Sequence, residues 1–213
     1  MKHLSCLIAG ALLTCGGMGI AEAGPHCETL EGKLTLAPLP NCNKFRQIKR
    51  VERIFEDAVF LYDYYDYDPP PSPPLCFEGT IAASLTGPDG PPRPVTATSL
   101  SALTANAFTL GPEVQPGPPK VFLLQSRLAE LFTAASVVTI SSAEPGKKAK
   151  ELGSIFLRDM GVSFLTESGP YSYEQLIGVG GTREFARASV SLQIQGNEFD
   201  PVNGANVSGI VCR

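Results

Sequence analysis

Apolar and polar positions alternate with a period of two along much of the chain. Leu30, Gly32, Leu34 and Leu36 recur at every second position. Phe77, Gly79, Ile81, Ala83 and Leu85 do so against Glu78, Thr80, Ala82 and Ser84. Val190, Leu192 and Ile194 alternate with Ser191, Gln193 and Gln195. Such a period puts one face of a strand in a core and the other outside. Residues 95–109, rich in Thr, Ser and Ala, predict another strand, and Val137-Val138-Thr139-Ile140 a strongly β one. Residues 154–164, 173–179 and 207–212 complete the set. Residues 121–131 carry Leu124, Leu128 and Leu131 at helical spacing, but Val121-Phe122 and the surroundings favour a strand. Pro/Gly turns at 87–92 and 111–119 and a charged turn at 144–150 separate the runs. The expected fold is all-β: an antiparallel closed barrel of eight or nine strands, whose closure removes exposed edges.

One stretch breaks the pattern. Phe45, Ile48, Val51, Phe55, Ala58 and Val59 recur at three- and four-residue steps. This spacing predicts one amphipathic helix over residues 43–62, with Asn41 or Asn43 as N-cap. Lys44, Arg46, Lys49 and Arg50 crowd the positive end of its dipole, and Glu56 and Asp57 lie towards the other end, so packing must hold it. The expected seat is the barrel wall or one mouth. "YDYYDYDPPPSPP" follows, a tyrosine and aspartate cluster leading into a stiff proline spacer. Asp63, Asp66 and Asp68 lack the glycine and distal glutamate of a calcium loop and read as a solvated acidic turn. Helix and spacer together form an insertion at about residues 43–75.

The N-terminus sets the expected compartment. Met1-Lys2-His3, an apolar run to Ile20 and Ala21-Glu22-Ala23 read as a signal peptide over residues 1–23. Cleavage after Ala23 leaves 213 − 23 = 190 residues, one domain spanning 24–213. The competing reading makes Cys15 a lipid-bearing cysteine. The expected location is secreted or periplasmic. No later apolar run is long enough to span a bilayer as a helix. A formal net charge of −4 and scattered basic residues argue against nucleic acid. Cys27, Cys42, Cys76 and Cys212 remain after cleavage, an even number that suits two disulfides; no C-x-x-C spacing suggests zinc. His26 is the one histidine left, so a histidine-based triad or metal site has little to build on.

"IGVGGTREFARAS", residues 177–189, ends one strand at a double glycine and soon begins another. Gly180 and Gly181 are expected to take positive φ and let the chain reverse. Phe185 then plugs one barrel end, while Ala186 and Ala188 lie close to the wall. The segment lacks the helix of a phosphate cradle. It resembles the "GGTGxFxxAxG" segment of the allene oxide cyclase and dirigent barrel superfamily. "SIFLRDMGVSF", "NVSGIVCR" and "HCETLEGKLTL" are similar to strands of its secreted bacterial members. Arg183, Arg187 and Val190 stand where that pattern has smaller residues, and the 43–75 insertion departs from it. The resemblance implies a barrel that holds a small, mostly apolar molecule and steers its cyclisation or coupling, with no metal or cofactor.

Strand parity supplies candidate site residues. Ile155, Leu157 and Asp159 share one face, and Phe156, Arg158 and Met160 the other. An inward Asp159 would be a desolvated carboxyl, a candidate acid or base. Glu78, Arg127, Tyr173 and Arg183 are candidate ligand contacts; the competing reading for each is a rim ion pair or a turn hydrogen bond. Two function classes follow. One is a small-molecule barrel, catalytic or not. The other is a stapled structural or interaction module with a filled barrel, binding a partner through the helix and its Tyr/Asp/Pro segment. A cavity separates them.

Barrel closure also orders the cysteines. The first and last strands of a closed barrel are neighbours, so Cys27 meets Cys212, and Cys42 pairs with Cys76 across the insertion. A Cys27–Cys42 bridge would have to span roughly 30 Å, since a strand rises about 3.3 Å per residue.

Overall fold

In the computed structural model, which describes residues 26–63, 75–109, 129–166 and 169–213, eight antiparallel strands close into one barrel in chain order. They are β1 (Cys27–Pro38), β2 (Cys76–Thr86), β3 (Arg93–Thr109), β4 (Ala129–Ser142), β5 (Glu151–Thr166), β6 (Gly169–Gly181), β7 (Ser189–Gly196) and β8 (Ala205–Cys212). β1 pairs with both β2 and β8, so no strand is left as an edge. The alternation of the sequence is the alternation of the pleat. Leu30 and Leu34 of β1, Ile81 and Leu85 of β2, and Val190, Leu192 and Ile194 of β7 all point into one core. Residues 1–25, with the expected signal peptide and Cys15, lie outside the described residues, as do 64–74 with Asp66 and Asp68, and 110–128 with Arg127.

The barrel has two unlike ends. Cys27, Ser142, Glu151, Gly181, Ser189 and Cys212 bound the first, and a 3₁₀ turn at Arg183–Phe185 folds over it. Phe185 is fully buried in the barrel core and plugs that end. The double glycine achieves this by a different means from the expected one. Neither Gly180 nor Gly181 has positive φ; Arg183 does, at 51°. Gly181 is needed for space, because a Cβ there would lie 2.1 Å from the Phe185 carbonyl oxygen. Ala188 packs against the core, whereas Ala186 is exposed. Outside the plug, Arg213 pairs with Glu28 and, at 2.8 Å, with Glu184.

The insertion is not one helix. It forms two single turns, α1 (Asn43–Arg46) and α2 (Val51–Ile54), and a 3₁₀ turn at Leu61–Asp63. The break falls at Arg50, which takes φ 76°. The basic cluster thereby escapes the dipole conflict of a long helix. Lys44 and Arg46 come in the last turn of α1, where cations suit the carbonyl ends. Lys44 pairs with Glu78, and Arg46 lies 4.4 Å above the Tyr62 ring. The apolar spacing still finds a common seat. Phe45, Val51 and Phe55 pack on the outer wall with Ala102, Ala135, Val137 and Phe156, while Val59 is exposed.

Both disulfides follow the topology. Cys27 and Cys212 are direct ladder partners of β1 and β8. Cys42 and Cys76 clip the insertion to the start of β2, with Cα atoms 5.4 Å apart. Two such bridges suit an oxidising compartment. Among the described residues no helix is long and apolar enough to cross a membrane.

Candidate functional site

The second end of the barrel keeps a cavity of about 90 Å³. Its depth follows from residue size. Ile140, Ile155, Leu157 and Phe185 fill the plugged half, but further along the same faces come Ser99 and Ser101 of β3, Ala134 and Ser136 of β4, and Ser172 of β6. Small side chains at inward positions leave room. At the mouth stand Phe77, Phe132 and Phe199, with Phe77 and Phe199 rings 5.8 Å apart. Gly161 makes a place for Phe132: a Cβ there would come 2.5 Å from the ring.

Asp159 faces inward on β5, in the same file as Ile155 and Leu157. Phe156 instead packs under the insertion, and Met160 is exposed. Asp159 is 6% exposed, and its Oδ1 is buried with no hydrogen-bond partner. Burial is the main cause that pushes its carboxyl up to about 8; the Ser136 hydrogen bond works against this and the Glu198 charge adds to it. Ser136 Oγ donates to Asp159 Oδ2 and stands 2.7 Å from Ser101 Oγ. One hydroxyl carries one proton, so a line through Asp159, Ser136 and Ser101 is satisfied only when all its protons point the same way. Such a line conducts a change of charge state at Asp159 to its neighbours.

Two further acids face the same space. Glu174 alternates inward with Ser172 and Leu176 on β6. Glu198 lies between β7 and β8, held where Leu36 N–H donates to its carbonyl at 2.7 Å. Burial raises the titration of both, that of Glu174 well above the usual range, and the two carboxyls hydrogen-bond each other. Ser172 supports Glu198. Two desolvated carboxyls in contact cannot both ionise cheaply, so they share a proton: Glu174 holds it and Glu198 accepts the bond.

The other candidates lie elsewhere. Glu78 sits on the outer face of β2, paired with Lys44 at the insertion. Tyr173 is half exposed on the outer face of β6, against Tyr171. The true inward neighbours of Tyr173 are Ser172 and Glu174. Arg183 belongs to the plugged end, 3.5 Å from Glu151, and does not line the cavity. Each is a surface pair because its parity or its end of the barrel is wrong for the interior. Arg127 lies outside the described residues. The sequence did hold a signal for Glu174: Ser172, Glu174, Leu176 and Gly178 form one alternating file. Glu198, in a loop, had none.

Among the described residues, no group of three His, Cys, Asp or Glu side chains is arranged to hold a metal ion. Chemically, the site can accept or supply a proton inside an apolar, one-ended chamber. Compared with family models, curated proteins and solved structures, the chain shows no match.

Proposed function

We propose that this is an exported barrel that binds a small, mostly apolar molecule at its unplugged end. The observation that carries the reading is a cavity walled by Leu36, Leu103, Phe77 and Phe132 into which three carboxyls converge. Space left empty in a packed interior forfeits dispersion contacts and is usually filled by evolution or by a ligand. An apolar chamber of about 150 Å³ accepts a benzene-sized guest. At about 90 Å³ this one takes a narrower end of a molecule, with the remainder resting on the mouth aromatics.

Within this reading the acids can transfer a proton to or from the guest at the bottom of the cavity. This is the setting in which a cyclisation or coupling can be steered without a cofactor, as the resemblance to allene oxide cyclase and dirigent barrels implies. The alternative of a filled barrel fits the plugged half only.

A thermal-shift screen of small lipophilic molecules tests the proposal, with Ala134→Leu as the cavity-filled control. Ligand at 100 times its Kd adds about 2.7 kcal/mol, or roughly 5–10 °C in Tm for a domain of this size. A shift of that order in the native protein, lost in Ala134→Leu, is expected. Equal shifts in both proteins would place binding elsewhere.

A further inference from the structure

The cavity wall says which kind of polar group its ligand carries. Four carboxyls line the space: Asp159 of β5, Glu174 of β6, Glu198 between β7 and β8, and Glu130 of β4 near the rim. Glu130 is engaged by Asn106 at 3.3 Å. Among the described residues lining the space there is no Lys, Arg or His. Among the described residues, Arg158 lies outside the wall, over the Phe55 ring, and Lys44 pairs with Glu78 on the outer face. The ionisable side chains of the described lining are therefore all acidic.

Asp159 supplies an independent sign of an absent partner. It is more than nine-tenths buried, it lines the cavity, and Oδ1 has no donor. A buried polar atom left unpaired is costly, and such atoms commonly mark where a ligand binds. Ser136 already occupies Oδ2, so Oδ1 is the oxygen left for a partner from the cavity side.

We infer that the ligand is a protonated amine with an apolar body, its nitrogen donating to Asp159 Oδ1 and its hydrocarbon part lying between Phe77, Phe132 and Phe199. The inference rests on the small-molecule reading above and specifies its head group. An ammonium can donate to Asp159 and to the Glu174–Glu198 pair at once, and aromatic faces at the mouth favour a cation passing between them. A carboxylate head would enter against four acids, with no base among the described lining residues to meet it. A neutral hydroxyl would satisfy Oδ1 but leave the accumulated acidity unused. Entry of the cation also requires Asp159 to give up its proton, so binding releases a proton and tightens as pH rises towards about 8. The groups that set this dependence are Asp159, Glu174, Glu198 and Glu130.

The test uses n-hexylamine, n-hexanol and hexanoate, titrated calorimetrically into the purified protein. The amine is expected to bind at least tenfold tighter than the alcohol. Its affinity should rise by up to about tenfold per pH unit between roughly pH 6 and 8, with a heat that depends on the buffer's ionisation enthalpy. Hexanoate should be the weakest. Asp159→Asn should remove the preference for amine over alcohol while n-hexanol still binds, which separates head-group recognition from loss of the fold. Equal binding of amine and alcohol, or tightest binding of hexanoate, overturns the amine inference and leaves the apolar cavity standing. Failure of all three to bind overturns the cavity reading itself.

Discussion

Ser136 on β4 donates its hydroxyl to Oδ2 of Asp159 on β5, while Oδ1 of the same carboxyl is buried without a partner. This half-satisfied carboxyl has a consequence for stability that can be signed. Asp159 has an ordinary value of 3.8 and is pushed up to about 8 in the fold. Between the two values the native protein holds a proton that the unfolded chain has released. Stability therefore falls as pH rises through that window, by at most about 1.4 kcal/mol per pH unit per group. Glu174 and Glu198 are raised too and act in the same direction. The urea midpoint should be higher near about pH 5 than near about pH 8. Asp159→Asn, which is neutral at every pH, should flatten the slope. A wild-type midpoint that climbs across this range would contradict the burial of these acids.

Phe185 and Asp159 divide the barrel interior between them, and the two halves should be separable by mutation. Phe185 is fully buried at the plugged end. Phe185→Ala should cost about 3–5 kcal/mol, the usual range for emptying an aromatic site. Because the residue does not line the cavity, any ligand Kd measured on the folded variant should stay within about twofold of the native value, less than 0.5 kcal/mol. A large change in Kd would mean that the plug and the cavity are one mechanical unit.

The two disulfides should differ in what their loss does. The Cys27–Cys212 bridge spans a separation of 185 residues and joins ladder partners at the seam of the barrel. On the chain-entropy model its removal costs about 5 kcal/mol, against about 4 kcal/mol for Cys42–Cys76, which spans 34. Hydrogen exchange distinguishes them further. Cys42→Ser with Cys76→Ser should raise exchange chiefly in the insertion around Phe45 and Phe55. Cys27→Ser with Cys212→Ser should raise it along β1 and β8. Uniform exchange in the first variant would show that the insertion and barrel unfold together.

How much of this was legible in the sequence depends on which physical rule governs each residue. A period of two is rigid once one face is buried, so the inward sets of β1, β2 and β7 could be read directly. The cysteine pairing followed from closure alone. The insertion was harder, because Phe45, Ile48, Val51 and Phe55 keep helical spacing even though the backbone breaks at Arg50. Spacing reports which residues share a seat, and two short turns on a wall use the same seat as one helix. On β5, Phe156 is as buried as Ile155 because the insertion covers the outer face, which blurs the parity that placed Asp159. On β6 the eye goes to Tyr173, although its neighbour Glu174 points inward. Glu198 reaches the cavity from a loop, where no periodicity applies.

The plugged end offers the sharpest local test, at Arg183. This residue adopts φ 51°, in the left-handed region where a Cβ is strained. Its guanidinium lies 3.5 Å from Glu151 at an exposed site, an ion pair of at most about 1 kcal/mol. Arg183→Gly alone mixes three effects: strain relieved, ion pair lost, and unfolded-chain entropy gained. Arg183→Ala loses the same ion pair but keeps the Cβ. The difference between the two variants therefore isolates strain against entropy. The strain is worth roughly 1–2 kcal/mol, and the added freedom of glycine in the unfolded chain offsets roughly 0.5–1 kcal/mol. Arg183→Gly should thus exceed Arg183→Ala in stability by up to about 1.5 kcal/mol, seen as up to roughly 6 °C in Tm. If Arg183→Ala is the more stable of the two, the turn does not hold position 183 in the left-handed region, and the path of the chain from Gly181 to Phe185 is different from the one described.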